Sequence, residues 1–193
     1  MIETLHTDRL LLQPLRLADA EQTQLLFPRW EIVQFLTALI PWPYPADGAL
    51  TFYRDVALPA MERGEAWHWT LRFRASPEEH IGAIGLMAKD GHAARGFWLG
   101  VPWQGRGLMT EAACAVNDYC FDVLGFHALR APKAVANISS RRISEKTGMR
   151  VIGTEEREYV SGKFPTEIWE IAAEEWRAKR QGVRNILEVK ERL

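Results

Sequence analysis

The sequence predicts one mixed α/β domain, a sheet with both hairpins and helical crossovers flanked by helices, and three observations carry that reading. The chain has 193 residues, 47% of them hydrophobic, which is enough to bury one sizeable core. Short apolar or alternating runs bounded by glycine and proline are interleaved with stretches of helical period. From Gln104 to Ala113 a glycine-rich turn, Gln-Gly-Arg-Gly, runs directly into the helical segment Leu-Met-Thr-Glu-Ala-Ala.

Taken in order, residues 8–14 read as a strand, and Asp19 caps a helix over residues 20–26. A second helical stretch covers residues 30–39. Pro41-Trp42-Pro43-Tyr44-Pro45 ends it, because proline fixes φ and restricts the residue before it. A longer helix follows over residues 48–63. Residues 67–74 and 80–88 read as strands joined at Ser76-Pro77-Glu78, and residues 90–94 as a surface loop holding His92. Phe97-Trp98-Leu99-Gly100-Val101 is a short buried strand.

Beyond the glycine turn, Leu108, Ala112, Ala115, Tyr119 and Val123 recur at helical spacing as one apolar face, and Gly125 stops the helix. Strands are expected over residues 128–136, 149–159 and 166–172, with a short helix around Ser140. The domain spans residues 1–175, and residues 176–193 form a charged, helical tail.

The strand, glycine turn and helix make an anion site. The first amides of a helix lack intrahelical acceptors and the dipole adds positive potential there, so a phosphate fits without a lysine. Gly105 and Gly107 supply the permissive backbone. A tight turn or N-cap is the plain alternative. The segment lacks the Gly-Lys-Ser/Thr of a Walker loop and the third glycine of a dinucleotide fingerprint.

Composition narrows the classes further. A net charge of −1 gives no global attraction to nucleic acid or to an anionic membrane. No apolar run approaches a bilayer-spanning length, and Cys114 and Cys120 are placed to point apart on one helix, so a cytoplasmic, thiol-reduced protein is expected. The histidines show no ligand spacing, and no metal is expected.

On these residues the chain resembles the GNAT acetyltransferases, whose acyl-CoA loop reads Gln/Arg-x-x-Gly-x-Gly/Ala. Gln104-Gly105-Arg106-Gly107-Leu108-Met109 follows that pattern, with Met109 where a small residue is usual. The stretch from Trp103 to Ala112 is similar to the ribosomal-protein N-terminal acetyltransferase (RimJ/RimL-like) branch. A second block, Asn137-Ile138-Ser139-Ser140 through Ser144 to Lys146-Thr147-Gly148-Met149, resembles the family's Asn-x-x-Ser helix and its Lys-x-Gly-Phe ending. Asn137 and Ser140 suit helix capping equally well. Thr7-Asp8-Arg9-Leu10 resembles the opening strand and Ile81-Gly82-Ala83-Ile84-Gly85-Leu86 a central one, so the likeness covers about residues 5–173.

The resemblance implies a twisted, mostly antiparallel sheet and acetyl-CoA as acyl donor. Leu99, Gly100, Val101, Gln104, Gly105, Arg106, Gly107, Leu108, Met109, Thr110, Asn137 and Ser140 would hold it. An amine would attack directly in a ternary complex, the thioester carbonyl lying between separating strands near Leu99 to Val101. Ser144 stands where many members carry a tyrosine and would hydrogen-bond the leaving sulfur; a solvent-facing serine is its plain reading. Glu158, in the acidic run with Glu155 and Glu156, would act as base, or merely blunt a strand edge. Trp42 and Tyr44 would border the acceptor, or cover the core. Glu111 reads as structural, favoured by the helix dipole.

The resemblance implies an amine acceptor, either a protein N-terminus such as that of a ribosomal protein or a small molecule, and a monomer or homodimer is expected. Two alternatives stand beside this: an acyl-CoA-binding sensor that turns nothing over, and a protein binding some other phosphate-bearing ligand.

Overall fold

The computed structural model of the protein describes residues 2–191. Its strands are β1 (Leu5–His6), β2 (Leu10–Pro14), β3 (Ala66–Phe73), β4 (Ser76–Lys89), β5 (His92–Leu99), β6 (Ala128–Ala134), β7 (Arg150–Tyr159) and β8 (Gly162–Ala172). They form one sheet in the order β1-β2-β3-β4-β5-β6-β8-β7, antiparallel throughout except for β5 beside β6. The mixed, mostly antiparallel sheet flanked by helices is therefore what the chain adopts.

Helices α1 (Ala20–Leu26), α2 (Trp30–Val33), α3 (Gly48–Phe52) and α4 (Leu58–Glu62) precede β3. A π-helical turn, Tyr53–Ala57, joins α3 to α4. Then α5 (Leu108–Asp118) crosses from β5 to β6, α6 (Ile138–Lys146) from β6 to β7, and α7 (Ala173–Glu191) follows β8.

Side chains alternate across a strand, so β5 serves two cores. Leu99 points into the main one with Leu108, Val116 and Phe121 from the α5 segment and Leu129 and Ile171 from β6 and β8. Trp98 points the other way and meets Phe27 edge-on at 5.4 Å. A smaller core around Phe27, Ile32 and Val33 lies on that side, and Ala49, Tyr53 and Ala57 gather in another. Each fully enclosed aliphatic or aromatic side chain contributes roughly 1.5–3 kcal/mol by leaving water.

Several boundaries depart from the sequence reading. The loop expected at residues 90–94 is a tight hairpin: Asp90 and Gly91 take φ of 45° and 80°, and His92 opens β5 as a buried residue. Two successive positive φ values are what a two-residue turn with the sheet's twist requires, and Asp-Gly is a pair that adopts them. Ser76-Pro77-Glu78 lies inside β4, not between strands. Arg72 pairs with His80 and Phe73 with Ser76, so the extra residues bulge. The Arg72 guanidinium donates to the carbonyls of Pro77 and Glu78, both at 2.9 Å.

The helix expected over residues 30–39 stops after Val33. There the chain turns to meet the β7–β8 hairpin: Val160 N–H donates to Leu36 C=O at 3.1 Å, and Thr37 bridges to Tyr159. Tertiary pairing overrides local propensity. The charged C-terminal segment begins its helix at Ala173 and docks. Trp176 is buried and its indole N–H donates to Asp118 at 2.8 Å, while Arg180 pairs with Asp118 and Asp122. Residues 192 and 193 of that segment lie outside the described residues.

Candidate active site

The parallel pair is short. Only Ala93 with Leu129 and Ala94 with Arg130 are in register, although β5 continues to Leu99 and β6 to Ala134. Past Ala94 and Arg130 the two strands part, and the facing backbone edges are released from each other. An extended ligand with amide groups can hydrogen-bond in such a gap.

The glycine turn closes its outer end. Gly100 N–H donates to Ile81 C=O at 2.8 Å, Trp103 packs so tightly on Gly100 that a Cβ there would meet its ring at 2.5 Å, and Gln104 Nε2 donates to Leu99 C=O at 2.9 Å. Gly105 and Gly107 take φ of 75° and 77°, left-handed conformations that glycine adopts without the penalty a side chain incurs. The first helical bond of α5 runs from Glu111 N–H to Gly107 C=O at 3.1 Å. The amides of Leu108, Met109 and Thr110 precede it and point out of the helix end, beside the exposed turn from Gln104 to Gly107. The side chain of Met109 is buried in the main core, so only its backbone faces the turn.

Glu111 fastens this end of α5 to the start of the chain. Its carboxylate accepts from Thr7 Oγ1 at 2.5 Å, Arg9 N–H at 2.9 Å and Arg9 Nε at 2.7 Å. Desolvation works against these bonds, yet together they hold the carboxyl below its ordinary range. Arg9 reaches further, donating from Nη1 to Arg106 C=O at 3.1 Å. Its guanidinium thus stands at the loop, next to Gly107.

On α6, Asn137 caps the helix through Oδ1, which accepts from Ser140 N–H at 3.1 Å, and the Ser140 side chain is buried. Ser144 differs from the solvent-facing reading. It is wholly enclosed, and its hydroxyl has no hydrogen-bond partner among the described residues.

Two buried cations flank the gap between β5 and β6. Arg95 on β5 is buried, donates to Asn117 Oδ1 at 2.6 Å and touches the sulfur of Met149 at 3.3 Å. Burial pushes its guanidinium down to about 10. Lys133 on β6, 7% exposed, holds its ammonium 4.4 Å from the centroid of the Phe97 ring on β5. Burial, and after it the charge of Arg95, pushes this lysine down to about 7. The sequence reading named Arg9 in the opening strand without giving it a role at the loop, and it missed Arg95 and Lys133, each a single basic residue with no local motif around it.

The residues proposed for the acceptor lie on β7 and on the connection between α2 and α3. Glu158 is exposed on β7, the outermost strand, opposite Lys163, and its carbonyl accepts from Ala38 N–H at 3.4 Å. Glu155 pairs with Arg157. The structure therefore brings Glu158 beside the Thr37–Ala38 turn and not beside Ser144. Trp42 is 43% exposed and leans on Trp30 at 5.6 Å between ring centroids. Tyr44 instead packs edge-on against Phe27 at 5.1 Å and beneath Gly48, where a Cβ would meet its ring at 2.7 Å. Burial pushes its hydroxyl up to about 12.

Among the described residues no group of three or more His, Cys, Asp and Glu is placed to hold a metal ion, and no helix is long and apolar enough to cross a membrane.

Comparison with known proteins adds three findings. The model of the acetyltransferase (GNAT) domain matches residues 9–150. YjcK of Bacillus subtilis (strain 168), named a probable N-acetyltransferase, is 33% identical over 97 residues, 48% of this chain and 53% of that protein; the match thus spans about half the length of this curated relative. Two solved structures share the fold. RimJ of Mycobacterium smegmatis, in complex with CoA-disulfide, has a TM-score of 0.78 at 18% identity, covering 90% of this chain and 88% of its own. The ribosomal-protein-S5-alanine acetyltransferase of Vibrio fischeri has 0.76 at 13% identity, covering 90% and 98%.

Proposed function

Because this chain belongs to the GNAT acetyltransferase family, we propose that it transfers the acetyl group of acetyl-CoA to a primary amine, by direct attack within a ternary complex. The observation that carries the reading is the parting of β5 from β6 just before a glycine turn and the open amides of α5. An acyl-CoA needs both parts. Its amide-bearing arm requires an extended edge, and its pyrophosphate requires a cluster of N–H groups with positive potential.

The residues present fit such a donor. The amides of Leu108, Met109 and Thr110, with Gly105 to Gly107, take the pyrophosphate, and the guanidinium of Arg9 and the exposed Arg106 add charge. Leu99, Gly100 and Val101 offer backbone to the arm and to the thioester oxygen, while Gln104 props the turn. Asn137 and Ser140 line the opposite wall at the start of α6. Ser144, whose buried hydroxyl has no hydrogen-bond partner among the described residues, is assigned to the leaving sulfur.

The acceptor enters between Trp42 and the acidic edge of β7. Glu158 there takes a proton from the incoming ammonium, which must be neutral to attack. Tyr44 is assigned to the wall's support, because it is packed rather than presented. The S5-alanine acetyltransferase of Vibrio fischeri acts on a ribosomal protein by name, which makes a protein N-terminus the first acceptor to test and a small amine the second. An acyl-CoA sensor is the second reading, favoured by the sealed hydroxyl of Ser144.

Calorimetry with acetyl-CoA, CoA, ATP and NAD tests the donor site. Selective binding of acetyl-CoA and CoA is expected, and equal binding of ATP or NAD would remove the assignment. Release of free thiol on adding peptide or small amines then separates enzyme from sensor.

A further inference from the structure

We propose that Lys133 is the acid of the acetyl transfer: its ammonium meets the sulfur of CoA as the carbon–sulfur bond breaks and gives it a proton. The proposal rests on the reading of the β5/β6 gap as the donor site, and it goes beyond that reading by assigning the leaving-group chemistry to a strand residue.

Placement is the first argument. The last parallel pair is Ala94 with Arg130, and Phe97 and Lys133 each lie three residues further along their own strand. They face one another across the point where the strands separate, with the ammonium 4.4 Å from the ring centroid. An ammonium over an aromatic face is held in place without losing its hydrogens to an acceptor.

Charge is the second argument. A buried ammonium is costly unless an anion compensates it. None is supplied by the described residues. Glu167, opposite Lys133 on β8, has its oxygens occupied by Arg141 of α6 at 2.8 and 3.0 Å and by the Trp169 indole at 3.0 Å. From β5 the charged neighbour is Arg95, a second cation, and from α5 the nearby groups are the thiols of Cys114 and Cys120 beside Arg95. Two buried cations with no free carboxylate beside them among the described residues favour an arriving anion. A CoA thiolate is the anion that acetyl transfer creates at this depth, well inside the pyrophosphate loop.

Acidity is the third. Lys133 is depressed to about 7, so it gives up a proton more readily than an ordinary lysine once sulfur takes on charge. In the step, the amine lone pair forms the carbon–nitrogen bond and the carbon–sulfur pair leaves on sulfur. Sulfur takes the proton from Lys133 Nζ, giving CoA thiol and a neutral lysine. The new amide loses its extra proton to water, and Lys133 is reprotonated by water. Ser144 can hydrogen-bond the sulfur but carries no charge to neutralise.

The test needs no acceptor. CoA is bound to the wild-type protein and to the variants Lys133→Met, Lys133→Gln, Lys133→Arg and Ser144→Ala, and the ionisation of its thiol is followed by the ultraviolet absorbance of the thiolate as pH rises. The bound thiol is expected to ionise about 1–3 pH units lower in the wild type than in Lys133→Met. Lys133→Arg should follow the wild type, and Ser144→Ala should raise the ionisation by less than Lys133→Met does. Lys133→Met should melt no lower than the wild type, since it removes an uncompensated charge, and Lys133→Gln gives the same readout if the first variant does not fold. Equal ionisation in wild type and Lys133→Met overturns the proposal while leaving the donor site standing. A wild-type protein that binds no CoA overturns both.

Discussion

The turn after β5 and the acceptor mouth proposed between Trp42 and Glu158 are built in opposite ways. The first is one contiguous run, Gln104 to Thr110, and it presents backbone: two left-handed glycines and three helix-end amides. The second is assembled from side chains of segments that are distant in sequence, joined where Val160 and Tyr159 meet Leu36 and Thr37. A backbone site depends on conformation, which local spacing specifies. A side-chain site depends on which segments the fold happens to bring together.

The sharpest way to break the comparison is at Gly107. Gly107→Glu places a carboxylate where a pyrophosphate is proposed to sit and forces a non-glycine residue to φ of 77°. Acetyl-CoA binding should become undetectable by calorimetry, with a stability loss of only about 1–2 kcal/mol from the backbone. Gly107→Ala separates the two effects, since it carries the strain without the charge. Normal affinity in Gly107→Glu would mean that the loop binds nothing.

At the mouth the expected effects are smaller and fall on turnover. Glu158→Gln should lower kcat by roughly tenfold to a hundredfold, with the loss shrinking at high pH, where the amine deprotonates unaided, and with acetyl-CoA affinity unchanged. A uniform rate at every pH would return Glu158 to the role of edge charge. Trp42→Ala should raise the acceptor KM a few-fold at nearly constant stability. Tyr44→Ala should instead cost about 2–3 kcal/mol in unfolding free energy, because its ring is packed against Phe27. Reversed outcomes at these two positions would exchange wall and support.

How much of this was legible follows the same division. Gly105, Gly107 and the Asn137 cap are local features, and the structure places each as spacing predicts. The Asp90-Gly91 hairpin was equally legible in principle, since Asp-Gly between apolar runs is a turn signal, but the flanking alanines hid the strand that follows. The end of α2 was not legible, because bonds from Val160 and Ser161, more than a hundred residues away, decide it. The same holds for Lys133 and Arg95. A lone basic residue in an apolar strand has no signature until the opposing strand is in place. Ser144 was misjudged because three basic residues on α6 suggest a solvated helix, while packing buries the face that holds the serine.

The smallest expected effect concerns acid. His80 is fully buried on the α1 side of the sheet, its Nε2 2.9 Å from Thr23 Oγ1 and its Nδ1 without a partner among the described residues. Burial lowers it to about 4, with Asp19 and Arg72 acting in opposite directions. In the unfolded chain it would titrate near 6.5, so below that value the unfolded state binds a proton that the folded state refuses. The stability due to neutral His80 is complete above about 6.5 and is lost as pH falls towards 4. Between pH 7 and 5.5 the loss should be about 1 kcal/mol, read from urea unfolding at each pH. His68, lowered to about 4 by burial as well, adds a similar slope, so His80→Gln should remove about half of the total. Because His80 ties α1 to β4, lowering the pH should loosen α1 before α5, as read by hydrogen exchange, so that the proposed acceptor side opens while the proposed CoA loop still binds. Simultaneous loosening of both helices would show that the two regions, though built differently, unfold as one unit.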